Sequence, residues 1–383
     1  MTQAEQVLLS LIRKSLFDSK ESFPSDTDWD AVLREAKQQT VVGIAAKALP
    51  DSCAGEAREK WKAAEFQQLA NTILYWKAQD ELHRLLTESG IPFVILKGAA
   101  AAMYYPDPYR RAMGDIDFLV PPEQFDRTAT VLLENGYLPD HEPTDRHIGF
   151  SKNKVSFELH HHFSYSDLDI EDALLSGISL AERISIDNHV FSALPANENG
   201  LVLLAHLWEH LHSGVGMRQV IDWMMFVVAH LSNEYWNITF SKLARDYGLE
   251  KLTITAAQMC HKYFGLPYSC SWFADADERL CDDLFSQILR SGNFGRKPNM
   301  NVADSKTISA LSGIHRYGLF RQLQQRGEAN WKAYHKHPCL KPFAWLYQLV
   351  RYTILWVISP KKQKLPSLMQ RENEINDLLK RLK

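Results

Sequence analysis

Residues 91–120 read Ile-Pro-Phe-Val-Ile-Leu-Lys-Gly-Ala-Ala-Ala-Ala-Met-Tyr-Tyr-Pro-Asp-Pro-Tyr-Arg-Arg-Ala-Met-Gly-Asp-Ile-Asp-Phe-Leu-Val, and they constrain the fold more than any other stretch. An apolar run closed by Lys97-Gly98, a small-residue segment, and Asp115-Ile-Asp117 opening a second apolar run predict strand, turn, helix, loop and strand. Two carboxylates therefore sit at the mouth of a buried strand. Neighbours two apart in an extended chain point to the same side, so Asp115 and Asp117 should share a face, roughly 7 Å apart. That suits a shared divalent cation. Paired anions without one repel and resist joint ionisation, whereas magnesium works with one or two carboxylates plus substrate phosphates. The same spacing also suits a turn-capping Asp115 beside a merely solvated Asp117.

The rest of the chain frames this unit. Leucines, alanines and aromatics at three- and four-residue intervals predict helices over residues 6–17, 29–49 and 56–86, the last stopped by Gly90. Pro121-Pro122 starts a helix that Asn135-Gly136 ends. Residues 147–151 and 154–163 straddle Lys152-Asn153 as a hairpin. Its second strand alternates Val155, Phe157 and Leu159 with Ser156, Glu158 and His160, which turns Glu158 and His160 away from the apolar side. From residue 196 onward helical periodicity dominates, over 198–212, 217–231, 235–247, 252–264, 278–289, 309–325, 343–358 and 371–382, with 293–306 as a long Gly-, Asn- and Lys-rich loop. The expected class is α+β, predominantly helical, with a small mixed sheet. The expected units are a helical segment over 1–90, an α/β core over 91–195 and a helical domain over 196–383.

Composition narrows the function classes. With 45% apolar and 23% charged residues the 383-residue chain is globular, with ample length for a core. A formal charge of −3 gives no whole-chain pull on polyanions, so nucleic acid is not the favoured partner. Five cysteines without a Cys-x-x-Cys pair suggest neither a disulfide framework nor a zinc knuckle. Residues 1–19 mix charges at helical spacing and lack a signal-like apolar core, so a cytoplasmic protein is expected. Residues 343–359 are apolar but short and interrupted by Arg351, which predicts a buried helix and no transmembrane segment. A membrane-surface role beside Lys361, Lys362 and Lys364 is the weaker reading.

The order of these pieces resembles the DNA polymerase beta-like nucleotidyltransferase superfamily. Within it, the chain resembles a bacterial family of uncharacterised nucleotidyltransferases with Leu-Lys-Gly, an Arg shortly before Asp-x-Asp, and a later Glu-Leu-His. Those are Leu96-Lys97-Gly98, Arg111 before Asp115 and Asp117, and Glu158-Leu159-His160. His206, His210, Arg218 and Asp222 stand where the family carries His-x-x-x-His followed by Arg and Asp. Two features depart from the superfamily: Gly98 is followed by Ala99 rather than Ser or Gly, and the gap to the acidic pair is longer.

The resemblance implies transfer of an NMP group from an NTP to a hydroxyl with release of pyrophosphate. Asp115, Asp117 and Glu158 would be the catalytic metal ligands for magnesium, or manganese. Lys97, Gly98 and Arg111 would bind the nucleotide, ATP among the candidates. His160, His206, His210, Arg218 and Asp222 would wall a pocket for a small-molecule or protein acceptor. Two readings compete. His206-Leu-Trp-Glu209-His210 also matches the His-x-x-Glu-His of zinc peptidases, in which two histidines bind zinc and the glutamate activates water. The other is a non-catalytic nucleotide-binding regulatory module, which has no chemical need for three mutually repelling carboxylates.

Overall fold

The computed structural model describes residues 1–140, 147–163, 168–293, 319–331, 338–358 and 365–383. Its architecture is α+β and mostly helical. Helix α1 (Gln3–Phe17) starts in a reciprocal cap: the Thr2 hydroxyl accepts the Glu5 N–H, and the Glu5 carboxylate accepts the Thr2 N–H. Helix α2 (Trp29–Gln39) stops at Thr40, whose φ of 60° is left-handed, and α3 (Val42–Ala46) follows as a separate short helix. The single helix expected over residues 29–49 is thus broken. The break puts the Gln39 side chain where its Oε1 accepts the Met217 N–H from 178 residues away. Helix α4 (Gly55–Glu88) is long, and Gly90 at φ 62° ends it as the sequence suggests.

The sheet carries β1 (Val94–Leu96), β2 (Ile116–Leu119), β3 (Leu138–Pro139), β4 (His147–Lys152), β5 (Val155–His160), β6 (Glu182–Ile186) and β7 (His189–Ala193), in the order β3-β4-β5-β2-β1-β7-β6. It is mixed: β2 runs parallel to β5 and β1 parallel to β7, while the other neighbours are antiparallel. The β4–β5 turn falls on Asn153 and Lys154, both at positive φ, one residue later than Lys152-Asn153. Helices α5 (Gly98–Ala102), α6 (Phe125–Glu134) and α7 (Glu171–Ile178) connect these strands.

Alternation along the strands separates two cores. Ile95, Ile116, Phe118, Val155, Phe157 and Leu159 face one of them, together with Trp76, Leu82 and Leu86 of α4. Val94, Leu96 and Leu119 face the other, which reaches from α1 through α8 (Ala196–Ser213) and α9 (Met217–His230) to the helices Glu250–Met259, Glu278–Ser291 and Leu365–Leu382. Residues from all three sequence-defined stretches therefore contribute to one apolar cluster. Close packing fixes α8 on α9: a β-carbon on Gly200 would lie 2.6 Å from the Phe226 ring.

The segment expected to be a buried helix forms Ala344–Ile358 against Leu319–Asn330, with the Phe320 and Trp345 rings 5.5 Å apart. It is not buried. Only one face meets that partner, and Leu346, Leu349, Val350 and Ile354 are exposed. Among the described residues no helix is long and apolar enough to cross a membrane. The loop expected over 293–306, apart from Asn293, and Lys361, Lys362 and Lys364 lie outside the described residues.

Candidate active site

Backbone register builds the centre. Parallel pairing of β2 with β5 sets Asp117 beside Glu158, and antiparallel pairing of β1 with β2 sets Leu96 beside Asp117, so Lys97 emerges next to the acids. Asp115 lies one residue before β2, on the same side as Asp117. One carboxylate oxygen from each of Asp115, Asp117 and Glu158 lies within 4.8 Å of the other two. Asp117 is buried; Asp115 and Glu158 are half-buried.

Two neighbours set the charge of this cluster. Lys97 Nζ is 2.7 Å from Asp117 Oδ1, and His160 Nε2 is 3.1 Å from the same oxygen and 3.3 Å from Glu158 Oε2. Lys97 occupies φ 50°, ψ −130°, a backbone region that costs a residue with a β-carbon about 1–3 kcal/mol. Burial opposes ionisation of Asp117, yet Lys97 and the His160 hydrogen bond outweigh it and hold its pKa below the usual carboxylate range. Asp115 goes the other way: burial, then repulsion from Asp117, push it up to about 6. Burial disfavours charge on His160 as well, but hydrogen bonds to Asp117 and Glu158 raise its pKa.

A second wall comes from α8 and α9. Asn199 on α8 donates to the Ala100 carbonyl at 2.9 Å, which clamps that helix to α5. His206 and His210 stack edge to face with centroids 4.5 Å apart. Burial lowers both, aided by each other and nearby cations for His206, and by Lys97 and Arg218 for His210, whose pKa falls to about 3. Both imidazoles are neutral at pH 7. The donor sets that converge among the described residues are Asp115, Asp117, Glu158 and His147, Glu158, His160; His206, Glu209 and His210 do not form one.

Arg111, expected to bind the nucleotide, is held here by an internal carboxylate. Its Nε and Nη2 donate to the two oxygens of Asp222 at 2.8 and 2.7 Å, and the Tyr105 hydroxyl donates to Asp222 at 2.6 Å. Asp222 outweighs burial and holds the guanidinium firmly charged. Arg218 is different again. Its Nη1 donates to the Ala112 carbonyl at 3.1 Å, and its buried Nε has no hydrogen-bond partner. Burial and the like charge of Arg111 depress its pKa, and Asp115 is among the anions that counter them. Gly98, at φ 34°, opens the fully buried alanine helix α5.

Sequence reasoning gave no role to Tyr105, Asn199 or His147. The partners of Tyr105 and Asn199 are 117 and 99 residues away, which no local spacing announces, whereas His147 faces His160 across the predicted hairpin and could have been found from its register.

A sequence profile described as "Uncharacterised nucleotidyltransferase" matches residues 25–265, more than half of the chain. The chain belongs to that family. This nucleotidyltransferase has no match among curated proteins. One solved structure similar to it is the solution structure of the antibiotic-resistance factor ANT(2'')-Ia, at 12% identity and a TM-score of 0.34, covering 48% of this chain and 94% of that one.

Proposed function

We propose that the protein is a magnesium-dependent nucleotidyltransferase, able to use manganese, that moves an NMP group from an NTP to a hydroxyl acceptor and releases pyrophosphate. The observation that carries this reading is the convergence of Asp115, Asp117 and Glu158 beside Lys97 in a chain of this family. Their oxygens are the hard donors magnesium prefers. Three carboxylates meet a single ammonium here; burial first, then repulsion from Asp117 and Glu158, raises the pKa of Asp115, and a dication would relieve that repulsion. A dication held there would neutralise phosphate charge and acidify the acceptor hydroxyl.

The chain's own residues supply the rest. Lys97 and Arg218 are the cations we assign to the triphosphate, with Arg111 instead fixing Asp222 and the loop before Asp115. Glu158, with 29% of its side chain exposed, faces the acceptor side and accepts the hydroxyl proton as oxygen attacks the α-phosphorus and pyrophosphate leaves. His206, His210 and Asp222, from the helical domain over 196–383, line the acceptor wall opposite His160 of the core over 91–195. A small molecule or protein is the acceptor we favour over nucleic acid, given the near-neutral charge. Five free cysteines, four of them buried, support a reducing cytoplasm.

The test is pyrophosphate release from each of the four NTPs with magnesium or manganese against a metabolite extract. Joint Asp115→Asn and Asp117→Asn replacement should abolish release while circular dichroism stays that of the parent. Undiminished release in that variant refutes the assignment. The zinc-peptidase reading lacks a convergent ligand set among the described residues, and no observation favours a purely regulatory module.

A further inference from the structure

The strand pair that holds Glu158 and His160 brings another donor alongside. β4 runs antiparallel to β5, and the register sets His147 directly across from His160, and Gly149, which has no side chain, across from Glu158. The His147 and His160 rings lie 5.0 Å apart between centroids, and one ligand atom each from His147, Glu158 and His160 lies within 4.8 Å of the other two. We propose that these three side chains form a second metal position, next to the carboxylate triad and sharing Glu158 with it, that takes a transition-metal dication rather than magnesium.

Donor chemistry separates the two positions. Two imidazoles and one carboxylate suit zinc, cobalt or iron, whereas magnesium holds to oxygen ligands and gives up water reluctantly. Distances agree. With metal–ligand bonds of about 2.1 Å, the 3.3 Å between His160 Nε2 and Glu158 Oε2 subtends about 104° at an ion, close to tetrahedral. An ion there would displace the Nε2 proton that His160 shares with Asp117 and Glu158, and Nδ1, 3.4 Å from the His162 carbonyl oxygen, would then carry the ring proton. Three protein donors leave a fourth position open to water or a substrate oxygen, the pattern of reactive rather than purely structural sites. Half-buried His147 and Glu158 keep the position within reach of solvent. The position shares Glu158 with the carboxylate triad, but neither Asp115 nor Asp117 is a ligand, so its donor set can be tested apart from nucleotidyl transfer.

The experiment titrates the full chain, stripped by chelation, with Co2+ under excess Mg2+, and follows ligand-field absorption. One equivalent should bind. His147→Ala and His147→Gln should each weaken it by more than the roughly 10- to 100-fold that loss of an outer-shell partner costs. Asp115→Asn should leave the absorption in place. Mn2+ bound to the unaltered chain under the same excess of Mg2+ should also show nitrogen coupling by electron paramagnetic resonance, a readout that needs no variant. Absent Co2+ absorption, absorption indifferent to both His147 replacements, absorption lost with Asp115→Asn, or Mn2+ without nitrogen coupling each overturns the proposal. Pyrophosphate release supported by Mg2+ tests the triad separately, so the two assignments can fail independently.

Discussion

Replacing Asp222 by Asn isolates the clearest energetic claim about the site's frame. Asp222 is 1% exposed and Arg111 2% exposed. The carboxylate accepts two guanidinium bonds at 2.8 and 2.7 Å and the Tyr105 hydroxyl at 2.6 Å. Asn keeps the shape and one acceptor oxygen but turns an NH2 toward groups that can only donate or already do. One charge-assisted hydrogen bond goes, worth about 1.5–3 kcal/mol. Arg111 is also left as a buried cation with Arg218 nearby, which brings the expected loss to about 3–5 kcal/mol. Urea denaturation followed by the fluorescence of the ten tryptophans measures it. Arg111→Met with Asp222→Leu removes both charges and should recover much of the loss, since apolar replacement of a whole buried pair is often neutral. A cost below about 1 kcal/mol for Asp222→Asn, or a double variant weaker than the single one, refutes the reasoning.

Two more outcomes follow from the packing and charge of the same region. Asp115 binds its proton more tightly folded, at about 6, than at its ordinary 3.8. The folded state therefore holds more protons between those values, and this group's contribution favours folding at acid pH and declines as pH rises to about 6. Metal binding must expel that proton, so Mn2+ affinity should climb with pH up to about 6 and then level off, and Asp115→Asn should flatten the climb; a pH-independent affinity in the parent counts against the coupling. Gly200→Ala puts a β-carbon 2.6 Å from Phe226 and 2.8 Å from Phe240. Overpacking of this kind costs about 1–3 kcal/mol, and an unchanged thermal midpoint would show that α8 and α9 can separate freely.

The strand–turn–helix–strand order over 91–120 was readable because each signal is local: an apolar run, Lys97-Gly98, alanines, and a second run after Asp115. The hairpin was readable for the same reason, and its alternation turned Glu158 and His160 to one side. What escaped was whatever depends on distant partners. Nothing near Arg111 announces Asp222, 111 residues on, and a basic residue just before two acids reads more naturally as facing them. Thr40 ends α2 through a left-handed backbone that threonine seldom adopts, so the periodicity over 29–49 ran past it. The exposed face of Ala344–Ile358 escaped because hydropathy reports what a helix can bury, not how much of a partner is there to cover it.

Charge accounting across the two walls explains why histidines suit α8. Lys97 is matched to Asp117, Arg111 to Asp222 and His160 to both Asp117 and Glu158, while Asp115 is in no ion pair among the described residues and has Lys97 and Arg218 as the cations acting on it. Protonated His206 and His210 would add two positive charges beside Arg218, Arg111 and Lys97, against which the attraction of Asp117 for His210 is the smaller effect. Burial together with those cations keeps both rings neutral. Under the proposed function they would act as uncharged donors and acceptors, where one oriented imidazole distinguishes a hydroxyl from a methyl group and a charged residue would instead attract phosphate non-selectively. Under the proposed function the two walls therefore divide the substrates. The acids, Lys97 and Arg218 suit the triphosphate, and the neutral pair on α8, with Glu158 and His160 opposite, suits the hydroxyl-bearing acceptor.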